Sequence, residues 1–167
     1  MKKLLLFSAL VCSTVAEAQL SLINEGVNVV INNGIDLRVE QGNVVNTSGS
    51  ISNDGNIYLD LNYSGAGAYT GGSSSWLWFE GSGTQYLMDL VSISRLRVDN
   101  GQRLLLNGDL EVTGDLDLSN NGNIELGNHT LSLSPTASLL NYDGSNFIRT
   151  TGTGSLKRSV SGASVAF

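Results

Sequence analysis

The clearest pattern in the chain is a series of apolar–x–apolar triplets separated by glycine and asparagine, from Leu96 onward. Residues two apart on a β-strand point to the same side, so each triplet directs two apolar side chains inward and one residue outward. The triplets are Leu96/Val98, Leu104/Leu106, Leu110/Val112, Leu116/Leu118, Ile124/Leu126 and Leu131/Leu133. The middle residues, which we expect to face outward, are Arg97, Leu105, Glu111, Asp117, Glu125 and Ser132.

The close spacing of these triplets predicts an all-β fold, a β-solenoid of short parallel strands. Strands and turns of a β-sandwich usually recur every 8–12 residues, which is longer than the spacing here. In a solenoid the chain turns a corner after each short strand and stacks on the coil below. Three strands per coil give a repeat of about 20 residues, and Leu96, Leu116 and Leu139 follow that interval loosely. One coil buries too little apolar surface to fold alone, so several must stack.

The N-terminal half carries a looser form of the same alternation. Its apolar positions are Val27/Val29/Ile31, Leu37/Val39, Ile51, Ile57/Leu59/Leu61 and Leu77/Phe79. We therefore expect N-terminal solenoid coils over residues 19–63 and a main solenoid over residues 76–167. Between them lies SGAGAYTGGSSS, residues 64–75, whose Gly/Ser-rich composition predicts an excursion, either a bulge off the solenoid or a flexible tip.

The first 18 residues have the pattern of a secretory signal peptide. Lys2 and Lys3 precede an apolar run over residues 4–15, and Ala16-Glu17-Ala18 supplies the small–x–small motif that signal peptidase reads. The run is too short to remain as a membrane-spanning helix. We expect cleavage before Gln19, export across the inner membrane, and a protein that is secreted or on the outer cell surface, with no membrane insertion after signal removal.

Composition and charge narrow the possible partners. Cys12 is the only cysteine, and loss of the signal peptide removes it, which excludes disulfides and thiolate metal sites in the mature chain. Of nine basic and 15 acidic residues, seven basic and fourteen acidic remain after cleavage. Nucleic acid and anionic lipid would repel such a chain, so neither is an expected partner. Twenty glycines and a single proline fit frequent turns with positive φ.

The repeat style resembles the Gly/Asn-rich region of large surface proteins from Gram-negative bacteria that use type IX secretion. The matching strings are FEGSGTQYL, LRVDNGQRLLLNGDLEVTGDLDL, GNIELGNHTLSL and FIRTTGTGSLKRSV. The resemblance implies a right-handed parallel β-helix that serves as a stalk or an adhesin-like module. Members of that family continue past the SLKR-type segment into further domains, whereas this sequence stops at Phe167. We therefore expect an N-terminal fragment whose main solenoid is truncated at its C-terminus.

Acidic and imidazole side chains offer few candidate sites. His129 is the only histidine, which excludes multi-His metal sites and any catalytic triad that uses another histidine. We expect His129 to be a solvent-exposed residue in a turn. Asp115 and Asp117 lie two apart, and Glu111 and Glu125 are expected to stack on neighbouring strands. These carboxylates could form a Ca²⁺-binding ladder, but the Gly-Gly-x-Gly-x-Asp repeat of calcium β-rolls is absent. We therefore favour solubilising surface residues and expect no metal site.

Basic residues leave two interpretations open. Arg95, Arg97 and Arg103 could form a cluster that contacts an anionic glycan, but single outward charges on a solenoid also block edge-to-edge aggregation, which is the interpretation we favour.

A carbohydrate-active β-helix, either a polysaccharide lyase or a hydrolase, is the alternative function. It requires a groove that joins a base such as Lys157 or Arg103 to acids such as Asp115 or Asp117. Clustering of these groups in the fold would support it, and scatter around the solenoid would not.

The sharpest local feature is Ser75-Trp76-Leu77-Trp78-Phe79. If Leu77 and Phe79 face inward, Trp76 and Trp78 point outward about 7 Å apart along one strand. Paired exposed indoles bind sugar rings or partner proteins, so the alternative function also includes a carbohydrate-binding module. The opposing hypothesis is that residues 64–75 fold over the indoles and cover them.

The favoured function is that of an exported, non-catalytic structural module, adhesin-like, on a cell-surface or secreted bacterial protein. We expect no catalytic residue and no cofactor. The expected partners are extracellular polysaccharide or another surface protein, with Trp76 and Trp78 as the contact residues.

The intact mass of the protein recovered from cells or medium tests the processing prediction. We expect a chain that begins at Gln19, because residues 16–18 form the cleavage motif. A protein that retains Met1 would contradict the signal peptide. A mass much larger than that of residues 19–167 would show that the sequence is the first part of a longer protein.

Overall fold

The computed structural model describes residues 21–160, and the regular structure in that range consists only of β-strands. The all-β prediction is confirmed for these residues. The predicted signal peptide lies outside them. In chain order the strands are β1 (Leu22–Ile31), β2 (Asp36–Val39), β3 (Val44–Asn53), β4 (Asn56–Leu59), β5 (Tyr63–Ser64), β6 (Ala68–Gly71), β7 (Trp76–Phe79), β8 (Gln85–Leu87), β9 (Ser92–Ile93), β10 (Arg95–Val98), β11 (Arg103–Leu106), β12 (Leu110–Val112), β13 (Asp115–Leu118), β14 (Asn123–Glu125), β15 (Thr130–Leu133), β16 (Ser138–Leu140), β17 (Ile148–Arg149) and β18 (Ser155–Arg158).

The strands form three parallel sheets, which are the three faces of a β-solenoid of about six turns. Face A runs β1-β3-β5-β8-β11-β14-β17, with β6 paired to β3. Face B runs β2-β4-β7-β10-β13-β16, and face C runs β9-β12-β15-β18. Neighbours on each face come from successive coils and pair in parallel. The predicted stacking of short strands into coils is confirmed.

The strand register confirms the expected repeat. Leu96 lies opposite Leu116, and Leu116 lies opposite Leu139. The distance along the chain between paired residues varies from 18 residues, for Ser50 and Ala68, to 25, for Leu131 and Leu156. Corners of different length absorb this variation, so the columns of apolar residues stay aligned.

The core is a continuous apolar column along the solenoid axis. All twelve residues of the six triplets from Leu96 to Leu133 are buried, as the alternation predicts. Among the middle residues, Asp117 differs from the expectation, since it is only 6% exposed. Its carboxylate is held by neighbouring polar groups on face B, described below.

The first coil departs from the predicted alternation at Val27, which is 62% exposed. A register shift between Glu25 and Asn28 interrupts the pairing of β1 with β3, and Gly26 has a φ of 106°. The Asn24 side chain points inward here and binds the backbone of Val27. Its Nδ2 donates to the Val27 carbonyl at 3.0 Å, and its Oδ1 accepts from the Val27 N–H at 3.1 Å. The interruption reverses the alternation, so Val27 faces solvent.

Buried asparagines link the first coils from the inside. Asn24 Nδ2 donates to Asn46 Oδ1 at 2.9 Å, and Asn46 Nδ2 donates to the carbonyl of Ala68 at 3.0 Å. Asn53 Nδ2 donates to the Tyr69 hydroxyl at 3.1 Å, and burial raises the pKa of Tyr69 to about 12. Each amide binds a group in the next coil, which satisfies buried polar atoms and fixes the stacking.

The Gly/Ser-rich segment 64–75 lies in the wall of the third coil. Strand β6 pairs with the second half of β3, with Ser50 opposite Ala68 and Asn53 opposite Gly71. Face A runs without a break from β3 through β5 to β8. The stretches before and after this segment therefore share one sheet.

Gly81 and Gly83 in one corner provide a test of how closely the coils approach. A Cβ on Gly81 would lie 1.9 Å from the carbonyl oxygen of Asp60 in the coil below, whereas a Cβ on Gly83 would meet nothing within 4 Å. We expect Gly81→Ala to lower the free energy of unfolding by about 1–3 kcal/mol, because the coils must separate to fit the methyl group. Gly83→Ala should change it by less than about 0.5 kcal/mol. Urea unfolding of both variants measures this difference, and equal stabilities would show that the corner is not tightly packed.

Candidate binding surface on face B

The outward side of face B carries two columns of polar and aromatic side chains. They alternate along each strand with buried residues such as Leu77 and Leu96. The first column is Asp36, Asn56, Trp76, Arg95, Asp115 and Ser138. The second column is Arg38, Tyr58, Trp78, Arg97, Asp117 and Leu140. Because neighbouring strands lie about 4.8 Å apart, side chains from successive coils contact one another along each column.

The second column forms a stack in which two aromatic rings lie between two guanidinium groups. The Arg38 guanidinium lies 3.9 Å from the centre of the Tyr58 ring. The Tyr58 and Trp78 ring centres are 4.8 Å apart, with the planes tilted by 34°. The Arg97 guanidinium lies 4.0 Å from the centre of the Trp78 ring. Cation–π contacts of this kind contribute about 0.5–2 kcal/mol each, so the stack stabilises this part of the surface.

Acidic groups hold both ends of this stack. Arg97 pairs with Asp99 at 3.1 Å and with Asp117 at 3.5 Å. Asp117 also accepts from Asn141 Nδ2 at 2.6 Å and from the Ser119 hydroxyl at 3.1 Å. These bonds explain why an outward carboxylate tolerates burial, since a buried charge must be paired and hydrogen-bonded.

The other end of the stack is tied to a carboxylate two coils away. Arg38 forms an ion pair with Glu80, reaching past Tyr58. Burial raises the pKa of the Glu80 carboxyl above its ordinary value, and the Arg38 charge opposes that rise. Burial, followed by the charge of Asp36, raises the pKa of the Tyr58 phenol. Arg38 therefore binds the first, second and third coils together at one surface position.

The two indoles of the Ser75–Phe79 motif lie in different environments. Leu77 and Phe79 are fully buried, and both tryptophans lie on the outward side, half-buried. Tyr58 and Arg97 flank Trp78, so its ring faces are occupied. Trp76 is more loosely packed, with the Arg95 guanidinium 5.5 Å from its ring centre. Trp76 is thus the indole whose ring is less closely packed against its charged neighbour.

A shallow open groove of about 520 Å³ lies at the corner between face B and face A. It is lined by Gln41, Asp60, Leu61, Glu80 and residues 81–83. Glu80 belongs both to this groove and to the stack, through its ion pair with Arg38. The polar groove and the aromatic columns therefore form one continuous surface, which we call the face B surface.

The arginine cluster that was considered as an alternative does not form. Arg95 and Arg97 share face B, where Arg95 lies 3.2 Å from Asp115. Arg103 lies on β11 of face A and pairs with Glu125 at 3.1 Å. The chain turns a corner between Val98 and Arg103, which separates residues that are close in sequence.

The expected stacking of Glu111 and Glu125 is also wrong, for the same reason. Glu111 lies on face C between Ser92 and Ser132, whereas Glu125 lies on face A between Leu105 and Arg149. Hydrogen bonds from Arg149 and Thr151 lower the pKa of the Glu125 carboxyl. Residues 21–160 contain no group of three or more His, Cys, Asp or Glu side chains placed to hold a metal ion.

The groups required for the carbohydrate-active alternative lie on three different faces. Lys157 is on β18 of face C, Arg103 is on face A, and Asp115 and Asp117 are on face B. That particular acid–base pairing is therefore absent from the fold. His129 follows a turn, and its Nδ1 lies 3.9 Å from the Asp109 carboxylate.

Sequence reasoning missed three members of the network that includes Trp78: Tyr58, which contacts its ring, Arg38, which contacts Tyr58, and Glu80, which pairs with Arg38. A usable signal was present, because Arg38, Tyr58, Trp78 and Arg97 recur at intervals of 20, 20 and 19 residues. Such a column can be predicted from the sequence only when the number of residues between paired positions is known for each pair of neighbouring coils.

Comparison of the chain with known proteins gives no match to a family model, to a curated protein or to a solved structure. In the part of the chain that the structure describes, there is no helix long and apolar enough to cross a membrane.

Arg97→Met tests whether the stack stabilises the fold. The variant keeps an apolar stem but loses the cation that lies over Trp78 and neutralises Asp117, so we expect a loss of about 2 kcal/mol in the free energy of unfolding. Arg95→Met is the matched control on the same strand, with a more distant ring and a partly exposed ion pair, and should cost less than about 1 kcal/mol. Urea unfolding followed by tryptophan fluorescence compares the two. Equal losses would contradict a special role for the second column.

Proposed function

We propose that this chain is an exported, non-catalytic structural module, adhesin-like, of a cell-surface or secreted bacterial protein, and that the face B surface is its contact area. The observation that carries the proposal is the ordered pair of outward columns centred on Trp76 and Trp78. Extracellular polysaccharide or another surface protein is the proposed partner.

The shape of the solenoid supports a scaffold role. Each coil rests on the next through parallel backbone pairing and a common apolar column. Such a structure grows by adding coils and presents extended surfaces with a regular spacing between outward residues. A polymeric ligand has a repeating structure as well, and can bind several coils of one face at once.

The chemistry of the face B surface suits a sugar polymer. Aromatic rings with polar groups around them bind carbohydrate by stacking and hydrogen bonding. Trp76 supplies the less closely packed ring, while Arg95, Asn56 and Asp115 supply neighbouring hydrogen-bonding groups in the same column. The stack in the second column stabilises this strand of the surface, which lowers the entropic cost of binding.

The net negative charge of the chain favours polysaccharide or protein over nucleic acid and anionic membranes as the partner. The mature chain carries twice as many acidic as basic residues, and the arginines of face B are paired with carboxylates. This arrangement disfavours nucleic acid and anionic membranes, which require unpaired cations. It leaves neutral polysaccharide and protein surfaces as the better partners.

Binding of the exported chain to intact bacterial cells and to extracted polysaccharide tests the proposal. We expect the double variant Trp76→Ala/Trp78→Ala to abolish binding, and Trp76→Ala alone to weaken it about tenfold, which corresponds to about 1.4 kcal/mol. Tyr86→Ala is the matched control, because Tyr86 is an exposed aromatic residue on face A and its loss should leave binding unchanged.

Circular dichroism and urea unfolding establish that each variant is folded before binding is compared. Unchanged binding by a folded double variant would overturn the role of the face B surface. Appearance of new reducing ends or unsaturated sugars in the polysaccharide would overturn the non-catalytic part of the proposal.

A further inference from the structure

Another open groove lies on the outward side of face A, near the starts of β11, β14 and β17. It has a volume of about 220 Å³ and is lined by residues 101–103, Asn121, Asn123, Phe147 and Arg149. Arg103 lies opposite Asn123 in the sheet, and Asn123 Oδ1 accepts from the backbone N–H of Phe147 at 3.0 Å. We call this region the face A groove.

Two arginines of the face A groove share one carboxylate. Arg103 Nη1 lies 3.1 Å and Arg149 Nη2 lies 2.8 Å from the same oxygen, Oε2 of Glu125. The other oxygen of Glu125 accepts from the Thr151 hydroxyl at 3.0 Å. The cations come from β11 and β17, and the carboxylate comes from β14 between them. Three successive coils therefore supply a cluster with one surplus positive charge.

The shared carboxylate lies beneath the two guanidinium groups. The Glu125 side chain is 14% exposed, whereas those of Arg103 and Arg149 are 45% and 43% exposed, and both arginines line the groove. Each guanidinium has five N–H donors, and Glu125 takes one from each. Within the described residues, the one further side-chain bond of these groups runs from Arg103 Nε to the Thr84 hydroxyl at 3.5 Å. Most of the donors are therefore available to a ligand.

The charge balance of this cluster is the reverse of that on face B. There, Arg97 has two carboxylate partners, Asp99 and Asp117, whereas on face A Glu125 has two arginine partners. A second carboxylate placed against the face A arginines would balance their charge. The net negative charge of the chain does not prevent this contact, because salt screens exposed charges beyond about 8 Å at physiological ionic strength.

Phe147 adds an exposed aromatic ring next to these cations. It ends the corner over residues 141–147, which is folded by Asp143. The Oδ1 atom of Asp143 accepts from the backbone N–H groups of Ser145 and Asn146 at 2.6 and 2.8 Å, so this carboxylate is bonded within its own corner. An aromatic ring with polar donors beside it binds a sugar by apolar contact and hydrogen bonding.

We propose that the face A groove binds the carboxylate of an acidic sugar, a uronic acid unit of an extracellular polysaccharide. The planar guanidinium groups of Arg103 and Arg149 hold the carboxylate, because their paired N–H donors match its two oxygens. The sugar ring lies against Phe147, a contact that an acidic peptide side chain would not make. This site is separate from the face B surface, where the arginines are already paired with carboxylates.

Isothermal titration calorimetry of the exported chain with tetragalacturonate, a linear uronic acid oligomer, tests the proposal. We expect saturable binding that weakens with salt, and no binding of the methyl ester, in which every carboxylate is neutral. Arg103→Gln and Arg149→Gln should each weaken binding at least about tenfold, because each removes the surplus positive charge. Phe147→Ala should weaken it about three- to tenfold through loss of the ring contact.

Lys157→Gln is the matched control, because it removes one positive charge from face C and should leave binding unchanged. Glu125→Gln is the opposite test: it raises the surplus charge of the cluster from one to two, so binding of tetragalacturonate should become tighter. Urea unfolding establishes that each variant is folded. If an arginine variant does not fold, Glu125→Gln and the methyl ester still decide the question.

Absence of binding by the folded chain, or equal binding of the methyl ester, would overturn the proposal. Unchanged binding by both arginine variants, or weaker binding by Glu125→Gln, would show that the ion cluster serves only to stabilise face A. Equal binding of a tetraglutamate peptide would contradict the assignment to a sugar, and preference for a sulfated galactose oligomer would contradict the assignment to a carboxylate. Trp76→Ala/Trp78→Ala should bind tetragalacturonate normally, so failure of this site and failure of the face B surface are distinguishable.

Discussion

Parallel hydrogen bonding between coils is the constraint on which the rest of this structure depends. Within each face, a short strand pairs with the strands of the neighbouring coils, and this pairing aligns equivalent residues of successive coils into columns. Inward columns become the apolar core, and outward columns become the contacts of each face. A strand of three or four residues has no stable structure by itself, so both the core and the surface exist only because the coils stack.

The same constraint explains how much of the fold could be predicted from sequence. The alternation from Leu96 to Leu133 identified the buried residues because it depends only on the two-residue period of a strand. It failed at Val27, where the inward turn of Asn24 interrupts the strand, since an asparagine within a polar stretch gives no sign of burial. The interval that joins Leu96, Leu116 and Leu139 indicated the coil length before any pairing was known.

The face B surface was only partly predictable. The outward direction of Trp76 and Trp78 followed from Leu77 and Phe79, because neighbours on a strand alternate. Their contacts did not follow, since a contact across coils depends on register, and register depends on corners whose lengths differ. For that reason Arg103 and Glu125 lie on face A, away from the arginines of face B and from Glu111 on face C. Conversely, Arg38 and Glu80 are far apart in sequence but form an ion pair across two coils.

The unequal corners have a consequence for how such a chain can change over time. Three residues, 60–62, join face B to face A in one coil, and seven residues, 141–147, join the same faces near the last coil. Both corners keep their flanking strands in register. Insertions and deletions at a corner therefore leave the core columns undisturbed, in the same way that surface loops tolerate changes in length. The corners are where this architecture can acquire new loops, epitopes or processing sites while its three walls stay the same.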